Sequence, residues 1–130
     1  MNTNKHEFEG VFLRDEVFKI VGCAMRVSNV LGPGLLEKPY ENALVVEFDE
    51  SGVPYEQQKR IQIFYKNKQV GDYYPDLIAF GQIIVEIKSV SKITDIERAQ
   101  TLNYMRLAKL KVGIVLNFQK SKLEWERLVL

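Results

Sequence analysis

Two short apolar runs, Leu77-Ile78-Ala79 and Ile83-Ile84-Val85-Glu86-Ile87, lie on either side of Phe80-Gly81-Gln82 and limit the fold more than any other feature of the chain. Runs of Val, Ile and Leu without polar alternation mark strands buried on both faces. Residues 69–80 and 82–89 are therefore expected to pair as a hairpin in a sheet covered by helices, with Gly81 in the turn. Charges inside such strands are costly unless a partner or a metal ion compensates them. Asp76, Glu86 and Lys88 lie in this region, which makes them the leading candidates for a functional site.

Their geometry follows from the hairpin. If the loop is Phe80-Gly81-Gln82, Ala79 pairs with Ile83, and counting outward sets Asp76 opposite Glu86 on one sheet face. The carboxylates would stand roughly 5 Å apart at Cβ, where like charges repel unless a cation or a shared proton joins them. Hard divalent ions such as Mg²⁺ or Mn²⁺ prefer such oxygen ligands. Lys88 alternates onto the same face as Glu86, where it could stabilise charge on a phosphate or orient an attacking water. A two-residue loop would shift the register by one and separate the acids.

Two further segments fit the same site. Thr94-Asp95-Ile96-Glu97 reads as a capping box that starts a helix running to about Lys109. Gln100 and Tyr104, four apart, share one face of it. Earlier, Gly32-Pro33-Gly34 breaks the chain, and Pro39 suits the first turn of a new helix, which puts Glu37 near a helix N-terminus. Taken alone, Glu37 is a helix-start carboxylate favoured by the dipole, and Gln100 and Tyr104 are ordinary residues of an amphipathic face.

Together these segments resemble a known family. Gly34-Leu35-Leu36-Glu37-Lys38-Pro39-Tyr40 matches the G-x-x-E-x-x-Y signature of a group of small bacterial and archaeal proteins placed in the PD-(D/E)xK nuclease superfamily. Pro75-Asp76 with Glu86-Ile87-Lys88 is similar to the superfamily core, and Gln100-Thr101-Leu102-Asn103-Tyr104 to the Q-x-x-x-Y motif of its exonuclease branch. The resemblance covers residues 11–130 and implies a restriction-endonuclease-like fold. It implies that Asp76 and Glu86 bind Mg²⁺, that Lys88 supports the attacking water, and that Glu37 adds a metal or water contact. Tyr40, Gln100 and Tyr104 would position substrate or brace the ligands.

Composition narrows the alternatives. Cys23 is the only cysteine and His6, near the N-terminus, the only histidine, which excludes disulfide scaffolds and zinc clusters, argues against a Cys/His nucleophilic pair and leaves Cys23 as core packing. Residues 1–10 are polar and expected to be flexible, residues 11–130 to form one domain. No apolar run approaches the roughly twenty residues of a membrane span, so the expected location is cytoplasmic. The net charge of +1 is unevenly spread, with 5 Lys/Arg against 10 Asp/Glu in residues 1–58 and 9 against 4 in residues 88–130. Of Lys88, Lys92, Arg98, Arg106, Lys109, Lys111, Lys120 and Lys122, some are expected to rim the site and face phosphates and about half to be solvated helix-face charges.

Leu13, Val17, Ile20, Ala24, Val27 and Leu31 recur at helical spacing, so residues 13–31 form an amphipathic helix ending at Gly32 whose stripe is either core or the seam of a homodimer. A second helix spans about Pro39 to Glu50. Val53 to Lys66 reads as a strand with a bend at Asn67, and Val112 to Leu116 and Leu123 to Leu130 as two more. The order is ααβββαββ, a mixed central sheet flanked by helices. The expected function is Mg²⁺- or Mn²⁺-dependent hydrolysis of phosphodiester bonds in nucleic acid, with DNA as the substrate. The alternative is a catalytically silent nucleic-acid-binding or protein-interaction module on the same fold.

Overall fold

The computed structural model describes residues 12–130, and the segment expected to be flexible, residues 1–10, lies outside them. Helix α1 (Arg14–Leu31) ends at Gly32, whose left-handed φ of 66° lets its N–H return to the carbonyl of Ser28. Its stripe Val17, Ile20, Ala24 and Val27 is buried against Tyr40, Leu44 and Phe48 of helix α2 (Glu37–Ser51), so it is core and not a dimer seam. Helix α3 (Asp95–Ala108) starts with the expected capping box, Thr94 accepting from the N–H of Ile96 at 3.2 Å and Glu97 from the N–H of Thr94 at 2.7 Å. No helix among the described residues is long and apolar enough to cross a membrane.

The three strand segments expected before α3 resolve into five strands: β1 (Tyr55–Gln57), β2 (Ile61–Tyr65), β3 (Lys68–Tyr73), β4 (Leu77–Ala79) and β5 (Ile83–Lys88). The element order is therefore ααβββββαββ, closed by β6 (Val112–Asn117) and β7 (Glu124–Val129). Both extra breaks have local causes. Gln58 takes a left-handed φ of 55°, which ends β1, and Pro75, without an N–H to donate, separates β3 from β4. The pieces then join different sheets. Strands β2 and β3 form a separate antiparallel ribbon, turned by Lys66 and Asn67 with positive φ at both, the geometry of a tight two-residue hairpin loop. The central sheet runs β1-β4-β5-β6-β7, antiparallel except for the parallel pair β5 and β6 that α3 connects.

Alternation along β5 assigns its side chains to two layers. Ile83, Val85 and Ile87 join the main core under α1 and α2, whereas Ile84 packs with Met105 of α3 in a second cluster. Glu86 and Lys88 continue the α3 side. That helix lies close to the sheet because Gly113 of β6 has no side chain: a Cβ there would meet Met105 Sδ at 2.6 Å and Thr101 Cγ2 at 3.2 Å. Gly113→Val is expected to destabilise the protein by about 1–3 kcal/mol, the usual cost of overpacking a filled core. An unchanged denaturant midpoint would contradict this account of the contact.

Candidate active site

The hairpin of β4 and β5 has the register that the three-residue loop requires, Ala79 opposite Ile83 and Leu77 opposite Val85. One step beyond the last ladder pair, Asp76 faces Glu86, and each acid is tied to the other's strand. Asp76 Oδ2 accepts from the N–H of Ile87 at 2.8 Å, and Glu86 Oε2 accepts from the N–H of Asp76 at 3.1 Å. Glu86 is 5% exposed and Asp76 half-buried. Burial pushes the Glu86 carboxyl up to about 7, and the charge of Asp76 adds to the effect. Asp76 is raised as well, by burial first, with the nearby Glu41 acting in the same direction and the Ile87 N–H and Lys88 opposing it. Two acids held this way share an excess of negative charge that a cation would relieve.

Lys88 leaves the same face at the end of β5, and its Nζ donates to Gln100 Oε1 on α3 at 2.6 Å. Tyr104, one turn along α3, lies half-buried and stacks its ring on Tyr73 at 3.7 Å between centroids. The hydroxyl of Tyr73 donates to Glu86 Oε2 at 2.9 Å. Burial and the adjacent Glu86 raise the Tyr73 hydroxyl far above its ordinary range, so it stays protonated and remains a donor. Gln100 and Tyr104 thus meet the site from α3 by different routes, one directly through the lysine and the other through Tyr73.

The helix α2 contributes a different acid from the one the sequence pointed to. Glu37 is exposed at the first helical position and makes no hydrogen bond or ion pair among the described residues. Glu41, one turn on and 3% exposed, faces the site instead. Gln58 bridges the two acids, its Nε2 lying 3.2 Å from both Glu41 oxygens and 3.5 Å from Asp76 Oδ1. Gln57 at 2.6 Å and Lys38 at 3.1 Å also donate to Glu41. A legible signal existed: Glu41 falls on the stripe of Leu44 and Phe48, at i+3 and i+7, where a carboxylate is out of place. Tyr40 faces away from the acids, contrary to the role expected for it. It is fully buried, stacks on Phe118 at 4.6 Å, and clamps the Gly32–Leu35 turn by donating to the Gly32 carbonyl at 2.6 Å and accepting from the Leu35 N–H at 3.2 Å.

Four of the basic residues expected around the site are held or carried elsewhere. Arg98 is forked onto Glu126 at 2.7 and 2.6 Å, and Lys120 pairs with Glu124 at 3.7 Å. Lys109 and Lys111 flank the start of β6, beside Ile83, at the opposite end of the parallel ladder from Lys88 and Asn117.

Asp76 Oδ1 has only the long contact to Gln58, and Glu86 Oε1 accepts no hydrogen bond among the described residues, so each acid offers one oxygen. Both oxygens of Glu41 are already engaged. No group of three or more His, Cys, Asp or Glu side chains among the described residues is arranged to hold a metal ion. A hard ion that keeps most of its water needs only one or two carboxylates, and Asp76 and Glu86 meet that requirement.

The family model described as PD-(D/E)XK nuclease superfamily matches residues 14–128. No curated protein and no solved structure matches the chain.

Proposed function

The chain belongs to the PD-(D/E)XK nuclease superfamily, and from that premise we propose that it hydrolyses phosphodiester bonds in nucleic acid, DNA first among its substrates, with a bound Mg²⁺ or Mn²⁺ ion. The observation that carries this reading is the buried pair of facing acids with a lysine on the same strand face. Asp76 and Glu86 would hold the ion, which supplies a lowered pKa to a bound water and a counter-charge to the phosphate. Lys88, aimed by Gln100, sets a positive charge where negative charge grows on the reacting phosphate. Tyr73 fixes the Glu86 carboxylate, and Tyr104 fixes Tyr73. Glu41 adds negative charge beside Asp76 and, through Gln58, limits how that acid can turn. Glu37, exposed on the loop side of the same helix, is left a contact to water or substrate only. The segment from Gly34 to Tyr40, similar to the G-x-x-E-x-x-Y group, supports placing the chain in that branch, in the cytoplasm.

The test is a panel of labelled single-stranded, duplex and branched DNA and RNA in Mn²⁺, Mg²⁺ or EDTA, with cleavage and bound fraction read together. Cleavage by the wild type that needs the metal and disappears in Asp76→Asn is the expected result. Binding without cleavage in every metal would overturn the hydrolytic assignment and leave a silent nucleic-acid-binding module.

A further inference from the structure

The ribbon of β2 and β3 is not part of the central sheet, yet its base is fixed at the acid pair. Ile61 and Tyr73 are register partners at that base. Ile61 packs into the cluster under α3, while Tyr73 stacks on Tyr104 and bonds Glu86. A two-stranded ribbon alone is barely stable in water, so these anchors hold its direction. Its tip is different in character. Phe64 and Tyr65 are 59% and 63% exposed, and Tyr74, on the link from β3 to Asp76, is 48% exposed. Residues 59–71 contain Lys59, Arg60, Lys66 and Lys68 and no acid. Lys59 and Arg60 are paired with Glu56 and Asp72, whereas Lys66 and Lys68 make no ion pair among the described residues. Lys66 Nζ lies over the Tyr65 ring at 5.5 Å, and Lys68 is the cross-strand partner of Tyr65.

Alternation puts Ile61, Ile63 and Tyr65 on one face, the face on which Tyr73 reaches Glu86. Tyr65 therefore stands four residues, or about 13 Å, along the ribbon from the site and on the same side. Exposed rings flanked by uncompensated lysines are the chemistry that grips a nucleic-acid strand: rings stack on bases and lysines meet phosphates. A ring can do so only where the base faces are uncovered, which excludes the interior of a duplex. A protein strand added to the ribbon edge fits less well, because the register shift between Ile63 and Phe64 and the lysines at the tip both blunt the edge.

We infer that the β2–β3 ribbon is a strand-capture arm, in which Tyr65 stacks an unpaired base and Lys66 and Lys68 hold the flanking phosphates, so that the substrate is a nucleic acid with a single-stranded segment. This rests on the nuclease reading for its purpose and on the ribbon for its chemistry, and one experiment separates the two. Anisotropy in EDTA would follow a labelled oligothymidine, the matching oligouridine and a blunt duplex on the wild-type chain, Tyr65→Ala, Phe64→Ala, Tyr65→Trp and the double variant Lys66→Gln/Lys68→Gln. Melting curves would check that each variant is folded, and cleavage in Mn²⁺ would be read on the same strands.

Tyr65→Ala is expected to lose about five- to a hundredfold in single-strand affinity, the range for one lost base stack, while duplex affinity and the single-strand affinity of Phe64→Ala, whose ring lies on the opposite ribbon face, stay as they were. Tyr65→Trp should restore it, and the lysine double variant should lower the salt dependence by about two ionic contacts. The oligothymidine and oligouridine arms assign DNA or RNA. Single-strand affinity that ignores Tyr65→Ala, equal losses on strand and duplex, or no affinity for any strand would overturn the arm. Cleavage by a chain indifferent to Tyr65→Ala would leave the nuclease standing without the arm. Tyr65-dependent binding with no cleavage in any metal would do the reverse.

Discussion

Lys88→Ala is expected to slow metal-dependent cleavage about a hundred- to a thousandfold while the protein remains folded under assay conditions, the effect of removing one preorganised charge from a reacting phosphate. The lysine is well placed for that loss. Its Nζ is aimed by Gln100 at 2.6 Å, and it forms no ion pair among the described residues that would hold its charge elsewhere. Its partner on α3 is neutral and exposed, so truncation leaves no hydrogen-bonding group buried and unpaired and the protein should stay folded, although Asp76 and Glu86 lose the charge that opposes their upward shift. Lys88→Arg is expected to remain impaired, because a planar guanidinium cannot take the place of a compact ammonium at the end of β5. Single-turnover cleavage of a labelled strand is the measurement, and wild-type rates for Lys88→Ala would remove the lysine from the chemistry.

Glu86→Gln should destroy the activity and, without divalent ions, make the protein more stable. The Glu86 carboxyl is raised from its ordinary 4.5 to about 7 in the fold. The native state therefore holds a proton that the unfolded chain releases, and stability present below about pH 4.5 is lost as pH climbs toward 7. At 1.36 kcal/mol per unit the loss is roughly 3 kcal/mol for this deeply buried group. Asp76, raised for the same reason, adds to it in the same direction. Glu97 moves oppositely: hydrogen bonds from Thr94 hold it below its ordinary value, so its contribution fails only on further acidification. The two windows do not overlap.

Millimolar Mg²⁺ or Mn²⁺ should reverse the alkaline loss in the wild type, since an ion bound only by the native state at a hundred times its Kd adds about 2.7 kcal/mol. In Glu86→Gln the pH profile between those limits should flatten and the ion should give little. Melting curves in EDTA and in Mn²⁺ across this pH range are the check. A wild-type profile flat from about pH 4.5 to 7 would show that the Glu86 carboxyl is not raised in the fold.

How much of the site could be read beforehand depends on how local its causes are. The register of Asp76 against Glu86 needed only the loop length and strand alternation, and the structure has Ala79 opposite Ile83 as that count requires. The capping box at Thr94 and the end of α1 at Gly32 are set within one helical turn. Gln100 and Tyr104 could be put on one helix face, but only the packing of α3 showed that one meets Lys88 and the other Tyr73. Part of the basic rim was misplaced because charge counted along the chain ignores where a parallel crossover sends it, and Lys109 and Lys111 emerge at the far end of the sheet.

The sequence alone determined the chemistry available and its order: two buried strands around Gly81, an acid just before the first and another within the second, a lysine one alternation further, and helices whose caps are written in neighbouring residues. Tertiary structure decided which acid of α2 joins the pair, that Tyr40 is a strut of the core, that Tyr73 steadies Glu86, and that residues 61–73 leave the main sheet as a ribbon of their own. The first set depends on interactions between residues close in the chain, which spacing fixes. The second depends on what a side chain meets across the fold, where burial and packing choose between Glu37 and Glu41 although both lie on the same short helix.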